Sequence, residues 1–192
     1  RVAGCEIAET GDGGVKLRGG DRRRLIPCRH EVIDCHIHHF SRWSKCYCPG
    51  ILADGVGMTF RHNRLHSAPH TAILFTGNEF RIENNEIYQV CLETGDAGAI
   101  YTGRDYSFRG NLVCRILLEK KKGVGMGTMG IYNDDCVSGT KMIGNIFYRA
   151  TRAVMIGGGR DMLVENNLFV DCEPAISFDS RGVSPHPIWQ KM

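Results

Sequence analysis

Apolar residues along this chain recur at every second position, in runs too short for helices. Ile73 and Phe75, Val154 and Ile156, and Ile176 and Phe178 each stand two apart. Such alternation marks a strand with one buried face. A 3.6-residue period is absent over any useful length. The runs lie between glycine-rich turns: GGVKLRGG (13–20), GILADG (50–55), TAILFTG (71–77), GAIYTG (98–103), GIYNDD (130–135), AVMIGGG (153–159) and AISFDS (175–180).

A second pattern precedes these runs. Asn63-Arg-Leu65, Asn85-Glu-Ile87, Asn111-Leu-Val113, Asn145-Ile-Phe147 and Asn167-Leu-Phe169 share one slot, and Cys5-Glu-Ile7 and Cys35-His-Ile37 fit it with Cys in place of Asn. The steps are 30, 28, 22, 26, 34 and 22 residues, so a unit of 22 with insertions underlies them. The near-repeat of ETGDGGVKLRGGD (9–21) in ETGDAGAIYTGRD (93–105) reads as one structural unit used twice. Short strands with Gly turns at this period predict an all-β, right-handed parallel β-helix of about seven rungs. Stacked rungs set like residues about 4.8 Å apart. Inward Asn63, Asn85, Asn111, Asn145 and Asn167 then form a ladder that satisfies buried backbone groups. All of 1–192 is read as one β-helix domain, the core of a longer protein.

Aligning the glycine-bounded strands yields outward rows. Gly14, Gly50, Ala72, Ala99, Gly130, Ala153 and Ala175 predict a flat floor of small side chains. Beside it run Lys16, Leu52, Leu74, Tyr101, Tyr132, Met155 and Ser177, then Arg18, Asp54, Thr76, Gly103, Asp134, Gly157 and Asp179. From ladder Asn to aligned strand residue the gap is 9–10 in compact units, but 15 after Asn85 and 20 after Asn111. Two adjacent insertions predict a walled cleft, because function in repeat folds sits on such departures.

Composition changes this picture little. Net charge is +3, and the basic runs Arg22-Arg23-Arg24 and Lys120-Lys121-Lys122 read as solvated turns, so neither nucleic acid nor a membrane is expected as partner. No apolar run approaches the roughly 18 residues of a membrane span. Nine cysteines include only one close pair, Cys46 and Cys48, without zinc-module spacing. Cys91, Cys114, Cys136 and Cys172 read as small buried hydrophobes. His30, His36, His38, His39, His62, His66 and His70 read as surface or turn residues, and no metal is expected. His70, at the edge that carries Asp96, is kept as a substrate contact. The glycine runs 123–127 and 157–159 lack the Lys-Ser/Thr of a phosphate loop.

The chemistry expected in the cleft is that of paired carboxylates, one an acid and one a base or nucleophile. Asp96, Asp134 and Asp135 are the catalytic candidates. Tyr101 and Tyr132 are expected to stack on sugar rings, with Arg104, Asp105 and Asp179 as further contacts. Asp134 and Asp179 fall two rungs apart, about 10 Å, whereas a fully extended chain holds Asp96 and Asp134 about 20 Å apart unless the loop bearing Asp96 folds back.

PHTAILFTGNEFRIENNEI, ETGDAGAIYTGRD, GIYNDDCVSGTKMIGNIFYRATRAVMIGGGRD and VENNLFVDCEPAI resemble the parallel β-helix proteins of the pectate-lyase-like superfamily. More narrowly they are similar to the group that includes glycoside hydrolase family 141. The resemblance implies a secreted or extracytoplasmic, carbohydrate-directed protein, with activities such as α-L-fucosidase or xylanase. Its two catalytic aspartates map onto Asp96 and onto Asp134 or Asp135. The favoured expectation is thus a glycoside hydrolase on a polysaccharide or oligosaccharide, with no cofactor. One alternative is a non-catalytic glycan-binding or scaffold β-helix. Another is a polysaccharide lyase, with Ca²⁺ on clustered aspartates and Arg104 as base.

Overall fold

The computed structural model of the chain describes residues 1–119, 127–183, 187 and 189. The Lys120-Lys121-Lys122 run and glycine-run positions 123–126 lie outside the described residues. The described residues are nearly all strand and turn, without α-helix. They form three parallel sheets of seven strands each. The chain lays one strand in each sheet in turn, so neighbours within a sheet are always three strands apart in sequence.

The third sheet comprises the glycine-bounded runs. Val15, Ile51, Ile73, Ile100, Ile131, Val154 and Ile176 pair across it in one register. The second sheet carries His36–His38, Arg64–His66, Glu86–Tyr88 and their equivalents, three residues each. Sequence reasoning missed the first sheet altogether. Its strands, such as Thr59–Arg61 and Arg81–Glu83, are equally short, and three residues show too little alternation to stand out.

Left-handed residues bracket the second sheet. Gly4, Asp34, His62, Asn84, Arg115, Gly144 and Asn166 precede the ladder slot, and Glu9, His39, Ser67, Gln89, Arg149 and Asp171 follow its strands, all with φ between 49° and 66°. One residue at positive φ turns the chain sharply, which is why these strands are short.

Between the sheets, Val32, Phe60, Ile82, Val113 and Met142 pair in register and are buried. Ile37, Leu65 and Ile87 of the second sheet meet them, as do Ile51, Ile73, Ile100 and Ile131 of the third. Each fully buried Ile or Phe contributes about 1.5–3 kcal/mol.

The Asn residues do clamp backbone, with one change of place. Asn85 Oδ1 accepts the Asn63 backbone N–H at 2.9 Å, while its Nδ2 donates to Phe60 O at 2.9 Å. It thereby grips both sides of the left-handed residue His62. Asn63, Asn145 and Asn167 grip the corners at Asp34, Arg115 and Gly144 in the same way. Asn111 does not stand in this ladder. It opens a strand of the first sheet and clamps Phe80 N and Gly77 O, around left-handed Glu79 at a different corner. Register puts Ile116 in the slot, so the ladder divides into the pairs Asn63–Asn85 and Asn145–Asn167. Asn-Leu-Val at 111–113 mimics the signature of the true slot, Ile116-Leu117.

That shift revises the insertions. From slot to aligned strand residue, Asn85 to Ile100 and Ile116 to Ile131 are each 15 positions, and Cys35 to Ile51 is 16. The last is a third insertion, residues 41–50, which sequence reasoning passed over. The repeated phrase is also displaced. Aligned letter by letter it matches Val15 to Ala99, whereas the sheet sets Val15 in line with Ile100. A slip of one residue exchanges faces, so the two phrases are not equivalent in the sheet.

Candidate functional site

The outer face of the third sheet and the segments around it collect most of the predicted residues. Insertion 41–50 brings Tyr47 over that face. Tyr47, Leu74, Thr76, Tyr101, Thr102, Gly103 and Arg104 line a cleft of about 230 Å³. Tyr47 also lines a second hollow of about 280 Å³, with Asp12, Lys16, Cys48 and Leu52. Burial, and then the Asp12 carboxylate, push the Cys48 thiol up to about 11. Cys91, Cys114 and Cys136 are buried as expected, Cys172 only partly.

Along this face the acids converge. The Tyr101 hydroxyl donates to Asp134 Oδ2 at 2.8 Å, and the Tyr132 hydroxyl donates to Asp96 Oδ1 at 3.3 Å. The two tyrosine rings meet edge to face at 5.2 Å. Burial raises the Tyr132 phenol above its ordinary range, the negative charges of Asp134 and then Asp96 add to the rise, and a hydrogen bond with Arg181 opposes it. Both carboxylates therefore act on one phenol. Asp96 comes near because its residue immediately precedes the strand Ala97–Gly103, its N–H bonded to Gly127 O at 2.8 Å, and because the long Tyr132 side chain spans the rest.

Asp134 is 7% exposed and accepts from three donors: Tyr101, the Asp135 N–H at 2.9 Å, and Arg181 Nη1 at 2.5 Å. Asp135, at φ 36°, accepts Arg104 Nε at 3.1 Å and Arg181 at 3.2 Å. Asp179 accepts Arg181 Nε at 2.9 Å. Arg181 thus ties three of the predicted aspartates together, and sequence reasoning missed it. Its only signal is position: a lone Arg two residues beyond the last acid of the outward row.

Several expected roles change. Tyr132 is 3% exposed and packs with Met129 and Met155, so its ring is no open platform for a sugar. His70 is 4% exposed; its Nδ1 lies 2.7 Å from Thr94 Oγ1 and its ring packs edge-on against Tyr47. It is a post beneath Tyr47 rather than a substrate contact. Asp105 turns to Arg22, at 3.0 Å, and to Ser107, so it braces the corner instead of facing the cleft. The row of small residues is no outer floor either. Ala72, Ala99 and Ala153 are fully buried in the core, and a side chain at Gly50 would meet Phe40 and Leu65.

A calcium ion fits this cluster poorly. Ca²⁺ takes six to eight oxygen ligands, whereas the oxygens of Asp134, Asp135 and Asp179 already receive the guanidiniums of Arg104 and Arg181. The hydrogen bond to Asp135 also raises Arg104 further above its ordinary range, the wrong direction for a base.

Four of the early histidines, expected as surface or turn residues, gather in one cluster. His36, His38, His39 and His66 pack ring against ring on the second sheet. Burial and the neighbouring imidazoles lower His66 to about 4, and burial lowers His36.

No protein-family model matches the chain, and no curated protein matches it. A solved structure titled "Glycoside hydrolase" aligns with 92% of this chain at 14% identity and a TM-score of 0.45. The chain spans about a third of that structure's length, 33%. A likeness this distant carries no activity across.

Proposed function

We propose that the chain is a carbohydrate-active parallel β-helix of seven rungs and acts as a glycoside hydrolase through Asp96 and Asp134. The observation that carries this reading is the convergence of two carboxylates on the Tyr132 phenol, beside a cleft walled by aromatic and polar groups. Asp96 is exposed and, among the described residues, takes a hydrogen bond from Tyr132, so it is the carboxyl that meets the glycosidic oxygen or water. Asp134, held by Tyr101 and Arg181, is the partner that stabilises positive charge developing at the anomeric carbon. Tyr47 and Tyr101 flank the sugar, and Arg104 lies within reach of its hydroxyls.

Release of reducing sugar from a polysaccharide panel tests this. Wild type is expected to release sugar regardless of chelator, with Asp96→Asn and Asp134→Asn each slower by at least about 100-fold. Chelator-sensitive release of an unsaturated product would instead indicate a lyase. The ion pairs that engage Asp134 and Asp135 also suit a second reading, a non-catalytic glycan-binding face. Glycan binding without turnover in wild type, unchanged in both variants, would favour it.

A further inference from the structure

The histidine cluster lies on the outer face of the second sheet, away from the acids of the third. Glu6 pairs with His36 across neighbouring strands, and Ala8 with His38, which in turn pairs with His66. The alternating Ile37 and Leu65 are fully buried, so the side chains on either side of them point outward. The rings of His36 and His38 are 4.2 Å apart, and those of His38 and His66 stack at 5.1 Å. Tyr88 closes the far side, stacked on His66 at 4.5 Å. An open furrow of about 400 Å³ lined by His36, His62, Arg64 and Glu86 adjoins the cluster.

One set of tautomers suits these contacts: Ser67 Oγ lies 3.4 Å from Gln89 Oε1 and 2.9 Å from His66 Nδ1, and with the His66 proton on Nδ1 it is the acceptor. His66 Nε2 is then a bare acceptor, and it sits 2.7 Å from His36 Nε2, which must supply the proton between them. His36 Nδ1 is left with a free lone pair. A ring nitrogen whose partner nitrogen is held by a fixed acceptor is the usual arrangement of a metal-ligating histidine. His38 Nε2 lies 3.1 Å from Glu6 Oε1. Zinc bonds of about 2.0–2.2 Å to N and O, at a tetrahedral angle, separate the two ligand atoms by about 3.4 Å. One edge of such a site is therefore nearly in place. One ligand atom from each of Glu6, His36 and His38 lies within 4.8 Å of the others.

The geometry points to a binding site for a divalent ion of the zinc class, held by Glu6, His36 and His38 and leaving a fourth position open, with His66 positioning His36. Two imidazoles and one carboxylate suit Zn²⁺, Co²⁺, Ni²⁺ or Cu²⁺, and are a poor set for Ca²⁺ or Mg²⁺, which take oxygen. On binding, His38 carries its single ring proton on Nδ1, 2.7 Å from His39 Nδ1, so that Nε2 presents its lone pair to the ion beside Glu6 Oε1. Because Glu6 and the histidines come from neighbouring strands, the ion also staples those strands together.

Titration of the folded chain with Zn²⁺ and Co²⁺ tests the site, read by calorimetry, by the visible spectrum of bound Co²⁺ and by the thermal midpoint. Wild type is expected to take up about one equivalent that excess Ca²⁺ and Mg²⁺ do not displace. The Co²⁺ spectrum should show four-coordinate bands without the thiolate charge-transfer band that binding at cysteine would produce, and Zn²⁺ should raise the midpoint. Loss of an outer partner weakens metal sites by about 10–100-fold, so Glu6→Gln and His38→Gln should weaken binding by more than about 100-fold. Glu6 is exposed and His38 half-buried, and circular dichroism verifies that the variants fold. His62→Gln, outside the ligand set, should bind as wild type. Equal affinity in wild type, Glu6→Gln and His38→Gln, or a thiolate band in the cobalt spectrum, would overturn the assignment.

Discussion

Arg181 shows how one side chain can organise a site assembled from distant residues. It bridges Asp134, Asp135 and Asp179 with its own side chain about a quarter exposed, 26%. Replacing it with Met leaves Asp134 without its cationic partner in a site of 7% exposure. A fully buried pair broken in this way costs about 3–5 kcal/mol, and partial exposure reduces the loss to about 2 kcal/mol. Urea unfolding of Arg181→Met measures it, and an unchanged midpoint would mean that the pair contributes nothing. His70 supplies a pH signature. Burial lowers its proton affinity in the native state, whereas the unfolded chain takes up the proton from about pH 6.5 downward. The unfolded state then binds more protons, so stability falls as pH falls below about 6.5. His70→Gln lacks that contribution, and its urea midpoint should decline less than wild type between pH 7 and pH 5.

At the scale of strands and corners, much was legible in the sequence. The third sheet's residues are those whose alternation and glycine bounds stand out, and their register was correct from Val15 to Ile176. The second sheet's slots were found except at Ile116, where Asn111 presents the same letters five residues too early. Two glycines show that space, as well as dihedral angle, sets a residue's role. Gly77 has φ 131°, and an added Cβ would collide with the Gly55 carbonyl oxygen of the neighbouring strand. Gly144 has φ 65° at an open corner with nothing near. Gly77→Ala should therefore cost about 3 kcal/mol or more, and Gly144→Ala only about 1 kcal/mol. Thermal unfolding separates the two; equal losses would show that the strand absorbs the Cβ by shifting.

Across the whole molecule, the three sheets share one core and have unpaired strands at either end of the described residues. At one end stand Leu168, Ile176 and Phe178, with Phe178 78% exposed. Edge strands with exposed apolar side chains pair with other chains unless something blocks them. The 192-residue chain is expected to self-associate as concentration rises, and Phe178→Lys should reduce this in light scattering. Association that Phe178→Lys leaves unchanged would place the contact elsewhere.

The sequence alone determined the all-β character, the strand positions in the third sheet and the acids on its outer face, because alternation and turn chemistry are local and repeat. It also singled out Asp96 and Asp134, although their separation along an extended strand argued against a meeting. Only the tertiary structure decided that Tyr132 and Tyr101 link them, that Arg181 reaches back 47 residues to Asp134, and that Tyr47 covers His70. The contact of His36 Nε2 with His66 Nε2, 30 residues apart, was likewise invisible in the sequence. These contacts depend on which strand lies beside which, and on how far a long side chain extends across the gap. No periodicity records either quantity.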